Sequence, residues 1–164
     1  MELSRLAELA KEDPERKFFS IAHLLTPEAL FEAFLSLRKD ASAGVDHVTY
    51  RDYEEQAKQK VQELHERLKS KTYRALPLRR IYIPKEDGKK RPISIPALED
   101  KIVQKAAVEL LSAIYEQDFL DCSYGFRPGC GAQEALDEVG RAICREPTSV
   151  VLELDISSYL YAAS

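Results

Sequence analysis

Between Leu78 and Pro96 the chain reads LRRIYIPKEDGKKRPISIP, two β-prone runs (RRIYIP and RPISIP) on either side of a turn carrying Asp87-Gly88. Asp-Gly in a short connection between such runs is a strong signal for a β-hairpin. This stretch narrows the available folds more than any other, because it demands an antiparallel ribbon in mid-chain. Pro84, Pro92 and Pro96 each lack a ladder N–H, so the strands are expected to be short and edge-like.

Helical patterns flank the ribbon. The first forty residues read as helical, with Thr26-Pro27 as N-cap and first-turn pair before EALFEAFLSLRK. Leu30, Phe31, Phe34, Leu35 and Leu37 are the apolar residues expected to bury there. DASAGVDHVTY breaks the pattern around Gly44 and reads as a loop. Thr49, with Asp52 three residues on, caps a further helix, and Tyr53, Ala57, Val61, Leu64 and Leu68 form one stripe along it. After Pro96, a helix is signalled by Ile102, Val103, Ala106, Leu110, Leu111 and Ile114. CSYGFRPGCG is a turn-rich loop, AQEALDEVGRAICR another helix, and TSVVLELD an apolar strand that delivers Asp155 at its end. The order is helices, hairpin, helix, loop, helix, strand, a mixed α/β chain.

Charge is where composition matters. The net charge of −4 conceals a basic segment. From Lys69 to Arg91 nine cations face only Glu86 and Asp87, so the acidity of the whole does not exclude a polyanionic partner. The 164 residues suit one ordinary domain, and 45% hydrophobic residues suit a globular one. No apolar run reaches the roughly 18 residues of a membrane span, and the N-terminus has no signal-peptide core. A cytoplasmic location without membrane association is expected. Cys122, Cys130 and Cys144, odd in number and without a CxxC pair, are expected to be free thiols.

Three features carry possible chemistry, each with two readings. Lys85 and Arg91 lie across the tight turn and can aim at one point, which suits a triphosphate or a nucleic-acid backbone; a solvated turn has the same composition. Asp155, at a strand end, suits a Mg²⁺ ligand on a rigid mount, or the N-cap of a helix in an unrelated α/β enzyme. Arg127, in the stiff GFRPG turn, suits an anion contact or a structural turn. Tyr73, Tyr82, Tyr124 and Phe126 can stack on bases or fill half-buried core. His23, His47 and His65 show no ligand or triad spacing, and no role is assigned to them.

Taken in order, SAGVDHVTY, LRRIYIPKEDGKKRPISIPALEDKIVQKAAVELLSAIYEQDF, CSYGFRPG and ELDISSY resemble the successive N-terminal motifs of the bacterial group II intron reverse transcriptase/maturase family. The resemblance runs from about Phe18 to Tyr159. It implies the fingers and partial palm of a right-hand polymerase, an α+β arrangement with helices around a short antiparallel hairpin. The implied divisions are a helical fingers extension over residues 1–75, the fingers hairpin and helices over 76–148, and a truncated first palm strand over 149–164.

Residue by residue, the resemblance makes Lys85 and Arg91 the grip on the triphosphate of a dNTP, with Arg127 and Tyr159 also at the nucleotide. Asp155 becomes the first catalytic aspartate and a ligand of Mg²⁺, with a backbone carbonyl from Ile156. Arg74, Arg79, Arg80, Lys89 and Lys90 are assigned to RNA. The implied partners are an RNA template or intron RNA and a DNA primer. Where the family reads Gly-Arg-Ser after GFRP, this chain has Gly129-Cys130-Gly131, and Gln133 replaces a common His. The Tyr-Ala-Asp-Asp block of the remaining catalytic carboxylate has no match. Residues 1–164 are therefore expected to be inactive alone, and to self-associate through an uncovered palm edge. The alternative is a non-catalytic, maturase-like module that recognises intron RNA.

Overall fold

The computed structural model describes residues 2–84, 88, 90–145, 147 and 150–156. It falls into two compact units, Met1–Asp118 and Phe119–Ser164. The first contains α1 (Glu2–Glu12), a 3-10 turn (Ile21–Leu24), α2 (Pro27–Leu35), α3 (Tyr50–Glu54), α4 (Ala57–Lys69), β1 (Arg79–Pro84), β2 (Lys90–Ile95) and α5 (Leu98–Tyr115). The second contains α6 (Ala132–Arg145). Among the described residues, helices with one small antiparallel sheet make an α+β arrangement.

Local signals start the helices where expected. Thr26 Oγ1 accepts the Ala29 N–H at 3.2 Å, with Pro27 in the first turn. Thr49 and Asp52 form a reciprocal capping box, the Thr49 N–H donating to Asp52 Oδ2 at 2.9 Å. The first forty residues are not continuously helical, however. α1 stops at Glu12, before Pro14, because the residue preceding a proline is pushed out of helical geometry. The stripe from Tyr53 to Leu68 is likewise split between α3 and α4, yet Tyr53, Ala57, Val61 and Leu64 still bury together and Leu68 packs against them.

The main core joins α2, α3, α4 and α5 through Leu30, Phe34, Tyr50, Tyr53, Val61, Leu64 and Ile102, among others. The Phe34 ring stacks on Tyr50 at 4.5 Å between centroids. Burial of each such side chain contributes about 1.5–3 kcal/mol. A smaller cluster of Leu6, Ala10, Leu24, Leu110 and Ile114 seats α1 on the far end of α5. Leu35 and Leu111, expected to bury, are 54% and 43% exposed. Each follows a core residue by one position, which turns it about 100° around the helix and out of the covered stripe.

β1 and β2 pair antiparallel, Arg79 opposite Ile95 through Pro84 opposite Lys90. With two strands, both are edges, so Pro84 and Pro92 cost the ladder little. Gly88 has φ 76°, as the turn chemistry anticipates; Asp87 lies outside the described residues. The strand expected before Asp155 is not formed. Residues 150–156 are irregular and exposed, because a strand requires a ladder partner and none lies beside them among the described residues. Among the described residues no helix is long and apolar enough to cross a membrane.

Candidate nucleic-acid interface

The ribbon stands on a polar clamp at the start of α5. Asp100, buried, accepts a hydrogen bond from the Tyr73 hydroxyl and another from the Leu76 N–H at 3.1 Å. Its neighbour Glu99 accepts from Arg67 Nη2 at 2.7 Å and from the Tyr53 hydroxyl at 3.4 Å. Burial first, and the facing carboxylates second, push both phenols well above their ordinary range, so they remain donors through neutral pH. The bond to Glu99 raises the Arg67 guanidinium further. These contacts pin the segment that feeds β1 to the helical core.

The other leg of the ribbon is held by close packing. A Cβ on Gly44 would stand 2.5 Å from the Ala97 Cα and 2.8 Å from the Pro96 carbonyl oxygen. The SAGVD loop can therefore lie against the exit of β2 only because residue 44 has no side chain. Lys101 Nζ donates to the Ser42 carbonyl at 2.6 Å, and burial lowers its pKa.

Register separates the two faces of the ribbon. Facing residues share a side of an antiparallel pair and successive residues alternate. One face therefore carries Arg79, Ile81 and Ile83 with Arg91, Ile93 and Ile95; the other carries Arg80, Tyr82 and Pro84 with Lys90, Pro92 and Ser94. Arg80, Lys90 and Arg91 are exposed, and Tyr82 is 60% exposed. Arg79 is half-buried, and its Nε is enclosed without a hydrogen-bond partner. Arg74 lies just before β1, with Nη1 on the Lys71 and Tyr73 carbonyls at 3.1 and 2.8 Å. Among the described residues no carboxylate forms an ion pair with any of these five cations.

The structure thus gathers Arg79, Arg80, Lys90 and Arg91 on one ribbon, with Arg74 beside its root. Lys85, Lys89 and Tyr159 lie outside the described residues. Arg127, Asp155 and Ile156 belong to the second unit. There Arg127 Nη1 donates to the Leu120 and Ser123 carbonyls at 3.0 and 2.8 Å, and the guanidinium covers the Phe119 ring at 5.0 Å. Of the four aromatics, Tyr82 and Phe126 are exposed, Tyr124 is half-buried, and Tyr73 serves the clamp. Sequence reasoning missed Asp100, since an acid in a helix's first turn reads as a complement to the dipole.

Asp155 is exposed, and no three His, Cys, Asp or Glu side chains converge among the described residues. Mg²⁺ takes a near-octahedral set of oxygens, with carboxylates held rigidly. The described residues alone do not fit such a centre.

No protein-family model matches the chain. It is 40% identical over 162 residues to Protein YkfC of Escherichia coli strain K12, across 94% of this chain and 42% of that protein. It is 32% identical over 141 residues to the group II intron-encoded protein LtrA of Lactococcus lactis subsp. cremoris, across 85% of this chain and 24% of LtrA. A third likeness, 44% over 72 residues, is to an uncharacterized 91 kDa protein in the cob intron of Schizosaccharomyces pombe, across 44% of this chain and 9% of that protein. The chain spans less than half the length of each. On these likenesses and the four ordered motif blocks, the chain belongs to the group II intron reverse transcriptase/maturase family.

Proposed function

We propose that this chain forms the fingers part of an RNA-directed DNA polymerase, contacting an RNA template, a DNA primer and the triphosphate of an incoming dNTP. The observation that carries the reading is the solvent-facing ribbon, whose Arg80, Lys90 and Arg91 have no carboxylate partner among the described residues. Fixed cations on a rigid mount meet the charge of phosphates without reorganising, which is how a polymerase site stabilises phosphoryl transfer. In this reading Arg91 and Lys85 hold the triphosphate, joined by Arg127 and Tyr159, while Arg74, Arg79, Arg80, Lys89 and Lys90 hold RNA. Asp155 and the Ile156 carbonyl would contribute to Mg²⁺ binding, the metal supplying charge neutralisation on the phosphates.

Binding of a structured RNA by residues 1–164, measured across salt concentration, tests the ribbon. Each phosphate contact contributes about 0.7–0.9 to the slope of log affinity against log salt. The triple change Arg80→Ala, Lys90→Ala, Arg91→Ala is expected to weaken binding and flatten that slope by two to three such steps, about 1.4–2.7 in all. Affinity no weaker in about 0.5 M than in about 0.1 M salt would sink the proposal.

A second reading, RNA recognition without catalysis, rests on the same exposed ribbon cations, which need no metal to meet a phosphate. Two-metal transfer needs further carboxylates. On that ground residues 1–164 alone are expected to extend no primer above the level of an Asp155→Ala control.

A further inference from the structure

A hollow of about 530 Å³ opens between the 3-10 turn and the C-terminal end of α4, and no residue of the ribbon lines it. Its wall is apolar where Leu25 and Leu68 face it. His23, His65, Lys69 and Lys71 supply the polar and charged part, and no carboxylate is among the lining residues. A volume of this order is typical of a small-ligand site.

The two histidines, 42 positions apart in sequence, both line the hollow. His23 Nδ1 lies 2.5 Å from the Ser20 carbonyl oxygen. A carbonyl only accepts, so this bond puts the proton on Nδ1 and leaves Nε2 for another partner. His65 Nδ1 is buried without a hydrogen bond, since Glu66 Oε1 at 3.6 Å is beyond bonding distance. A buried polar atom without a partner asks for an explanation.

Lys71 adds an independent sign. The Thr72 N–H bonds the Arg67 carbonyl at 3.0 Å and the Lys71 N–H bonds the Leu68 carbonyl at 3.1 Å, the Schellman pattern of a helix end. The left-handed residue of that pattern is usually glycine, yet here it is Lys71, with φ 60°. The helix dipole favours cations at this end and so accounts for Lys69. It does not account for a lysine held in strained backbone at the mouth of a hollow, and such strain gathers at functional positions.

The ammonium groups of Lys69 and Lys71 repel a metal cation and attract an anion, His23 Nε2 is left as an acceptor for a hydroxyl, and the apolar wall suits a ligand with a less polar body. We infer that this hollow binds a phosphate group carrying a nucleoside, supplied by an RNA strand or by a free nucleotide. The inference is independent of the ribbon's role.

The test follows the His23 and His65 ring signals by NMR in residues 1–164, titrated with inorganic phosphate, 5′-AMP and a single-stranded RNA octamer. Both rings are expected to shift saturably. Shifts with 5′-AMP identify a free nucleotide as sufficient, and shifts with the octamer alone identify the strand; either result upholds the site. Lys71→Gly, which relieves the left-handed strain, is expected to keep or raise the melting temperature while weakening binding about tenfold, the loss of one charge-assisted contact. Arg91→Ala is the control for the ribbon: it should lower total RNA affinity and leave the 5′-AMP shifts intact. No saturable shift with any probe, no gain of either 5′-AMP or the octamer over inorganic phosphate, or unchanged binding in Lys71→Gly would each overturn the inference.

Discussion

Gly44 and Asp100 hold the two legs of the ribbon by opposite means, one by having no side chain and the other by having a charged one in a dry place. Gly44→Ala would drive a methyl into the Ala97 backbone, and backbone cannot rotate aside. It is expected to destabilise the fold by about 1–3 kcal/mol, read as a lower urea midpoint. Asp100→Ala leaves the Tyr73 hydroxyl and the Leu76 N–H without their acceptor. Both donors are part-buried, and since a fully buried unpaired donor costs about 1–3 kcal/mol, losing two acceptor contacts at once is expected to exceed Tyr73→Phe, which removes one donor and leaves the carboxylate its other bond. A urea series on the two variants checks the order. Neither role could be read from sequence: a loop glycine and a first-turn acid have ordinary explanations, and what they touch is 53 positions away for Gly44 and 24 and 27 for Asp100.

At the level of elements, the capping box of α3 sets an acid-dependent contribution. The Thr49 hydroxyl, then the Thr49 N–H, hold the Asp52 carboxyl below the usual carboxylate range. A depressed folded pKa means stability that is present above the unfolded value, near ~3.9, and lost as pH falls through the folded one. Asp52→Asn is therefore expected to lower the urea midpoint at pH 7, with the gap to the parent closing as pH falls below the unfolded value and through the depressed folded one. The caps were legible because they are local; Thr26, Pro27, Thr49 and Asp52 act within four residues of themselves. α6 is a different case. Its bounds match the sequence pattern, but Leu136, Val139 and Ile143 on it are all about half exposed or more.

For the whole molecule, the consequence of gathering cations on one ribbon is electrostatic reach in an otherwise acidic chain. Association with RNA is expected to be salt-sensitive through that ribbon despite the net charge of −4. A triple ribbon variant that bound RNA with an unchanged salt slope would place the interface elsewhere. The ribbon's basic character was legible because charge density along a sequence survives folding. Its division into two faces was legible only once the register was known, since a slip of one residue exchanges every side chain between faces.

The sequence by itself determined the helix starts, the hairpin, the break at Gly44 and the family, because these rest on short-range rules and on motifs in a set order. Tertiary structure alone decided the rest. It turned Leu35 and Leu111 outward, left residues 150–156 without a ladder, fastened the ribbon through Asp100, and brought His23 and His65 to one hollow. The physical reason is common to all four. Whether a side chain is covered, a strand paired or two distant residues made neighbours depends on which surfaces meet, and a pattern along one segment carries no information about the surface that meets it.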